Sequence, residues 1–233
     1  MNALAGGGTF ATLPALIAIG LPANAANVAS NVSLLPGIGA SAWTYRDELE
    51  PVAGLSLRLL GVLTFVFGLV GSLLLVVTPS STFDIMIPWL LLFAFAVMLF
   101  GQRAADWLHA RVHIGGRTVV VSQVLLSIYC GYFGGGASLI LTAIYGLLAN
   151  LPPRELFAIR TTMMGLASFA AAVVFVAFGM VRWTVCLPML AGAIAGGWLG
   201  ALVGRRVLPG LVRAWTLLLT GATTAVFFYR AYA

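Results

Sequence analysis

Lysine is absent from this chain. Twelve arginines carry all of its fixed positive charge against six acidic residues, and charged side chains make up only 8% of the 233 positions. A soluble domain of this length needs a charged surface, roughly a quarter to a third of it ionisable, so that class is excluded. Cysteine is nearly absent as well. Cys130 and Cys186 lie in apolar stretches without metal-ligand spacing, so both read as small packing residues and set no disulfide framework. No basic flank precedes the first apolar run, so the pattern of a cleavable signal peptide is missing. No GxxxxGK[ST] motif occurs, which argues against ATP drive within the chain.

What fills the space is apolar: 61% of residues are hydrophobic and mean hydropathy is +1.07. Runs such as LRLLGVLTFVFGLVGSLLLVV at 57–77 match the roughly 20 residues that cross a hydrocarbon core. Short apolar segments lie at about 9–19 and 137–149, longer ones at about 25–45, 54–77, 84–101, 118–133, 155–178, 183–203 and 213–231. The alternating ten-residue pattern of a membrane β-barrel does not occur. The expectation is an all-α polytopic membrane protein in contact with the lipid bilayer. Its arginines stand singly at the ends of apolar runs, the distribution of the positive-inside rule, not of a nucleic-acid partner. Trp43, Trp89, Trp107, Trp183 and Trp215 lie near span ends and read as interface anchors.

The most soluble stretch, GQRAADWLHARVHIGGRT at 101–118, divides the chain, and the two sides resemble each other. Gly6, Gly7 and Gly8 match Gly134, Gly135 and Gly136, an offset of 128; Leu21-Pro22 matches Leu151-Pro152; WLLLFAFAVMLFGQR at 89–103 matches WTLLLTGATTAVFFYR at 215–230. Gly61, Gly68 and Gly71 have counterparts in Gly192, Gly196 and Gly200. Landmarks in the same order define an internal duplication: a first transmembrane repeat over 1–101, a cytoplasmic connecting loop over 102–117 and a second repeat over 118–233. An apolar segment, TVVVSQVLLSIYCGYF, precedes the second triplet, whereas five residues precede the first. The first repeat is therefore expected to lack one segment of roughly 16 residues, about one short membrane helix.

Charge sets the orientation. Arg103, Arg111 and Arg117 in one loop and Arg205, Arg206 and Arg213 in another face the cytoplasm by the positive-inside rule. The segments flanking the second triplet must then form a hairpin, with Arg46 and Arg154 inside and Arg182 outside. Equivalent loops 20–24 and 150–154 fall on opposite sides, so the repeats are inverted, with Gly-broken helical hairpins. Inverted repeats with broken helices build midplane substrate sites in secondary transporters. Glycine triplets leave backbone N–H groups unhindered, and irregular backbone survives at membrane depth only where it is buried or lines a wet cavity. A helix starting there suits an anion. Helix packing through small residues is the competing reading.

Here the residues carry a family resemblance. NALAGGGTFATLPALIAIGLPANAANVASNVSLLPGIGASAWTYRDEL resembles the first repeat motif of the TauE/SafE family of sulfite exporters and 4-toluene sulfonate uptake-type permeases. GYFGGGASLILTAIYGLL with LPPRELFAIRTT resembles its second repeat. The resemblance covers essentially the whole chain, which departs from the family in beginning at the first triplet without the usual preceding helix. It implies a multi-pass permease of the bacterial cytoplasmic membrane that moves small sulfur-containing anions such as sulfite or organosulfonates.

The residues themselves offer two polar clusters at equivalent places. Asn27, Ser30 and Asn31 share one helical face, with interhelical hydrogen bonding as the alternative. Arg160, Thr161 and Thr162 form the second. Arg160 lies about one and a half turns into its span; its guanidinium could hold two oxyanion oxygens, or snorkel to the interface. Arg58 reads as a snorkelling residue. Thr9 and Ser138 follow the triplets and could cap the short helices or line the site. The substrate-binding set is therefore Gly6, Gly7, Gly8, Thr9, Asn27, Ser30, Asn31, Gly134, Gly135, Gly136, Ser138, Arg160, Thr161 and Thr162.

No cofactor and no metal are expected: His109 and His113 are i, i+4 but have no evident third ligand. Asp84 and Glu155 sit at span starts, as interface anchors more than proton relays, and no acid lies in mid-span. An enzyme would need paired carboxylates, a Ser/His pair or a metal cluster within the spans, and none occurs. The rival readings are a channel-like anion facilitator and a non-transporting membrane partner protein.

Overall fold

Glycine and proline mark several helix ends, although Pro14, Pro36, Pro88 and Pro188 lie inside helices. The computed structural model describes residues 8–52, 54–109, 116–149, 151–204 and 209–232. Its helices are α1 (Gly8–Ala18), α2 (Ala23–Thr44), α3 (Leu57–Val77), α4 (Ser80–His109), α5 (Gly116–Tyr132), α6 (Ala137–Ala149), α7 (Pro153–Ala177), α8 (Trp183–Gly204) and α9 (Pro209–Tyr232), with a short 3-10 turn at Arg46–Glu48. The two Leu-Pro turns are built alike. Pro22 caps α2 at φ −56°, ψ 145° and Pro152 caps α7 at φ −55°, ψ 150°. Each proline carbonyl opens its helix at 2.9 Å, to Ala26 N and Leu156 N. Proline's fixed φ and missing N–H suit it to this position.

Leu57–Val77, Ser80–Gly101 and Arg154–Ala177 are long and apolar enough to cross a membrane; Gly8–Ala18, Ala137–Gly146 and Trp183–Gly196 are shorter apolar helices. The connecting stretch differs from the loop expected over 102–117. Helix α4 continues without a break to His109, because Gln, Arg and Ala are good helix formers.

Contacts fix the helix directions. Helix α5 ends at Tyr132, and α6 runs back beside it so that the Tyr145 hydroxyl donates to Gln123 Oε1 at 2.5 Å. These two form the hairpin. Helix α7 is antiparallel to α6, since Arg160 meets Thr142 while Leu156 meets Gly146. Helix α2 is antiparallel to α7: the Tyr45 and Phe157 rings lie 4.9 Å apart, and Ile38 packs at Gly165. Helix α4 is antiparallel to α9, with Trp89 at Tyr232 and Phe95 at Gly221. The packing partners also recur. Helix α3 packs on α7 and α8 on α2; α4 packs on α6 and α9 on α1; α1 packs on α2 and α6 on α7.

The tightest joint is between α3 and α5. A Cβ added at Gly131 would run into the Gly68 carbonyl, and one at Gly71 into the Ile128 carbonyl. Gly68 also faces Ala167 and Ala170 of α7, at 3.2 and 3.3 Å from its Cβ position. Small residues let membrane helices approach backbone to backbone.

Beside this seam lies a buried polar network. Gln123 Nε2 donates to Thr64 Oγ1 at 2.5 Å and Gln123 Oε1 accepts from Tyr145; Thr64 donates to the Leu60 carbonyl and reaches Met163 Sδ. One glutamine thus ties α3, α5 and α6 together beside α7. Gln123→Leu is expected to destabilise the protein by about 1–3 kcal/mol, because it strands the Tyr145 hydroxyl. Adding Tyr145→Phe should recover part of that loss, read as melting temperature in detergent.

Outward faces are apolar. Val62, Val66, Val70, Leu73 and Leu74 of α3 and Leu187 and Ile194 of α8 are exposed, as are Trp43, Trp89, Trp183 and Trp215. Such a surface is stable only against lipid, with the tryptophans where interface anchors belong. Side chains at 102–109, Trp107 among them, lie outside the described residues.

Candidate functional site

The second glycine triplet is the break between α5 and α6. Gly134 and Gly136 have φ of +68° and +70°, a region L side chains rarely enter. Added Cβ atoms would also collide: at Gly136 with Ala94 Cβ and Phe10 Cζ at 2.7 and 2.8 Å, at Gly135 with the Phe133 ring. The turn is pinned from its own helix. Tyr129 O accepts from Phe133 N and Gly134 N, while the Tyr129 hydroxyl donates to Gly135 O at 2.7 Å. Gly8 begins α1; Gly6 and Gly7 lie outside the described residues.

Around this break the structure gathers the first-half cluster. Asn27, Ser30 and Asn31 are all buried on one face of α2. Asn27 Nδ2 donates to the Tyr132 carbonyl at 3.1 Å. Asn31 Nδ2 lies 3.0 Å from the Cβ position of Gly134. Ser30 pairs with Thr12 Oγ1 of α1, which also donates to the Gly8 carbonyl at 3.1 Å. Thr9 is buried close by on α1.

The second-half cluster sits farther along. Arg160 is buried, 7% exposed. Its Nη1 donates to Thr142 Oγ1 at 3.1 Å and its guanidinium carbon lies 3.9 Å from the centre of the Phe157 ring. Its Nε has no partner. The two acid–base pairs among the described residues are at the surface, Arg46–Asp47 at 3.6 Å and Arg154–Glu48 at 3.7 Å. The second joins the loop after α2 to the start of α7. Neither includes Arg160. Arg58 is exposed.

Thr161 donates its hydroxyl to the Phe157 and Ala158 carbonyls, whereas Thr162 Oγ1 is buried without a partner. Ser138 is buried within the first turn of α6, past the position of an N-cap. Its carbonyl accepts from Thr142 at 2.7 Å. From Gly136 to Thr142 is six residues, about 9 Å of helix rise, so the two clusters do not share one set of atoms. They stand on either side of the α2–α7 crossing.

Thr12, Thr142, Phe157 and Tyr129 complete these clusters and, like Gln123 of the network beside α3, were not among the residues singled out in the sequence. A signal existed for two of them. The Leu-Pro offset of 130 superposes Thr12 on Thr142 and Ser30 on Arg160, and both pairs make their contact across 18 positions.

Apolar outer faces around a glycine-broken hairpin and buried polar groups are the features of a helical membrane protein, and the family of this chain is one of membrane transporters. The chain belongs to the sulfite exporter TauE/SafE family, whose model matches residues 1–227. It is 30% identical to a "Probable membrane transporter protein" of Haemophilus influenzae over 98% of this chain and 89% of that one. It is 23% identical to "Probable membrane transporter protein YfcA" of Escherichia coli strain K12, over 100% of this chain and 86% of that one. No solved structure matches the chain.

Proposed function

We propose that this protein is a multi-pass permease of the bacterial cytoplasmic membrane that moves small sulfur-containing anions, sulfite or organosulfonates, by alternating access and without covalent chemistry. The observation that carries the reading is Arg160. A buried guanidinium with no carboxylate and an unpartnered Nε is costly unless something anionic visits it. Phe157 and Thr142 hold its plane, leaving the Nε edge for an oxyanion. Ser138 and Thr162 are the neighbouring polar residues on α6 and α7, and the Gly134–Gly136 backbone leads to them. The first-half residues, Gly6 to Thr9 and Ser30, would line the path on the other side of the crossing.

Inverted repeats over 1–101 and 118–233, joined by a cytoplasmic connection over 102–117, supply the mechanism. Its support is the opposed direction of α2 against α7 and α4 against α9, and the recurrence of packing partners. One rigid group of helices rocking against the rest would expose the crossing to each side in turn. Efflux of sulfite, taurine and sulfate from right-side-out and inverted vesicles tests this. Saturable flux for a sulfur oxyanion is expected. Flux that rises linearly with concentration would make the protein a channel, and absence of flux for all three would remove the substrate class.

A further inference from the structure

At the edge of the bundle where α4 begins and α9 ends, an acid and a base share one pocket without meeting. The pocket encloses about 280 Å³ between Ser81, Asp84 and Ile85 of α4 and Phe227, Arg230 and Ala231 of α9. That is just under the roughly 300–1,000 Å³ of pockets for drug-sized ligands, so its occupant is small. Phe227 is buried and forms the floor. Asp84 and Arg230 are both exposed, and neither enters the two ion pairs among the described residues. Both charges are therefore open to a ligand that carries one charge of each sign.

The walls are held by neighbouring aromatic residues, not by the two charges. Trp89 Nε1 donates to the Tyr232 hydroxyl at 2.8 Å, and that hydroxyl reaches the Ile85 carbonyl at 3.5 Å. The Phe228 ring packs against Trp89 at 5.3 Å and against Tyr232 at 5.9 Å. This knot ties α9 to α4 beside the pocket and marks its depth in the bilayer. Trp and Tyr belong at the level of the lipid headgroups, and the apolar segment Ser80–Gly101 starts here. Farther along α4, Ile85, Trp89 and Phe93 are exposed at four-residue spacing. They form a strip on one helix face that leads from the pocket toward the hydrocarbon core.

We propose that this pocket binds the headgroup of phosphatidylethanolamine, its ammonium on Asp84 and its phosphate on Arg230, with the acyl chains along the face of Ile85, Trp89 and Phe93. Charge and donors select among lipids. A primary ammonium donates charge-assisted hydrogen bonds to a carboxylate. A choline headgroup has no such donor and prefers an aromatic cage, whereas Phe227 is the one aromatic residue lining this pocket. A phosphatidylglycerol headgroup brings its phosphate to Arg230 and nothing positive to Asp84. The Ser81 hydroxyl is a further donor for a phosphate oxygen. The site shares no residue with the anion reading and stands or falls without it.

The test is native mass spectrometry of the full chain in detergent, titrated with phosphatidylethanolamine, phosphatidylcholine and phosphatidylglycerol of identical acyl chains. Phosphatidylethanolamine is expected to bind about fivefold more tightly than phosphatidylcholine, the upper range for an exposed ion pair. Asp84→Asn should erase that preference, and Arg230→Gln should weaken both lipids. Asp84→Lys should hand the preference to phosphatidylglycerol. Equal binding of the two zwitterionic lipids by the wild type, or an ethanolamine preference that Asp84→Asn keeps, overturns the site. The wild-type comparison decides alone if a variant does not fold. Free phosphoethanolamine separates the two sources of this chemistry. It is expected to leave the lipid in place at equal concentration; displacement would make the pocket a site for a soluble zwitterion and overturn the lipid.

Discussion

Arg160→Ala is expected to cut saturable sulfite flux about a hundredfold while leaving the protein at least as stable as before. The first half follows from what the guanidinium offers: charge-assisted hydrogen bonds worth about 1.5–3 kcal/mol, and about 3 kcal/mol is a hundredfold in affinity. The second follows from what Arg160 lacks. It is buried beside Thr142 and an aromatic face with no carboxylate, so folding bears its desolvation without an ion pair in return. Removing it relieves that cost. Thr142 keeps its bond to the Ser138 carbonyl, so no hydroxyl is stranded. A residue kept for packing would show the opposite pair of results, lower melting temperature and unchanged flux. Flux assays and thermal melts on one preparation decide between them. Arg160→Lys should recover only part of the flux, because a point charge cannot reproduce a planar fork.

Gly131→Ala should be among the most damaging single-methyl additions in the chain, costing about 3 kcal/mol or more, the upper end of overpacking effects. The reason is that the obstacle is backbone. The new Cβ meets the Gly68 carbonyl, which belongs to a helix and cannot swing aside as a side chain would. Gly71→Ala meets the Ile128 carbonyl in the same way. Gly192→Ala on α8 supplies the control, since its Cβ position has nothing within 4 Å. That change should fall within about 0.5 kcal/mol of neutral, as exposed substitutions usually do. Melting temperature and the monodisperse fraction after extraction measure all three. A Gly131→Ala protein that melts with the wild type would mean that α3 and α5 can separate at little cost.

Several features stood in the sequence because they rest on local chemistry. The Leu-Pro turns and the helix break at Gly134–Gly136 follow from the restrictions on proline and the freedom of glycine, whatever packs around them. The position of Arg160 inside an apolar span was legible, and the structure buries it there. The burial of Asn27, Ser30 and Asn31 followed from their spacing. What stayed hidden depends on the chain returning to itself. Gln123 is one polar residue in an apolar run until α6 folds back and brings Tyr145 to it. Gly131 looks like any other glycine in α5, while the carbonyl it touches lies 63 positions earlier. The end of α4 was misplaced for a different reason. Polar residues from 102 onward mark where lipid ends, and helix α4 outlasts its membrane segment.

The seam of Gly68, Gly71 and Gly131 has a mechanical consequence. Where backbone rests on backbone there are no rotamers to rearrange, so α3 and α5 cannot creep past one another in small steps. They move as one piece, and α7, seated on Gly68 through Ala167 and Ala170, moves with them. Helix α8 has no such backbone seat at its glycines: a Cβ added at Gly192 or Gly196 would meet nothing within 4 Å. The molecule therefore has a keel of three helices, while α8 is seated on α2. Any stroke that opens the crossing should be taken up at α8, where a spin label would report it and one on α3 would stay still.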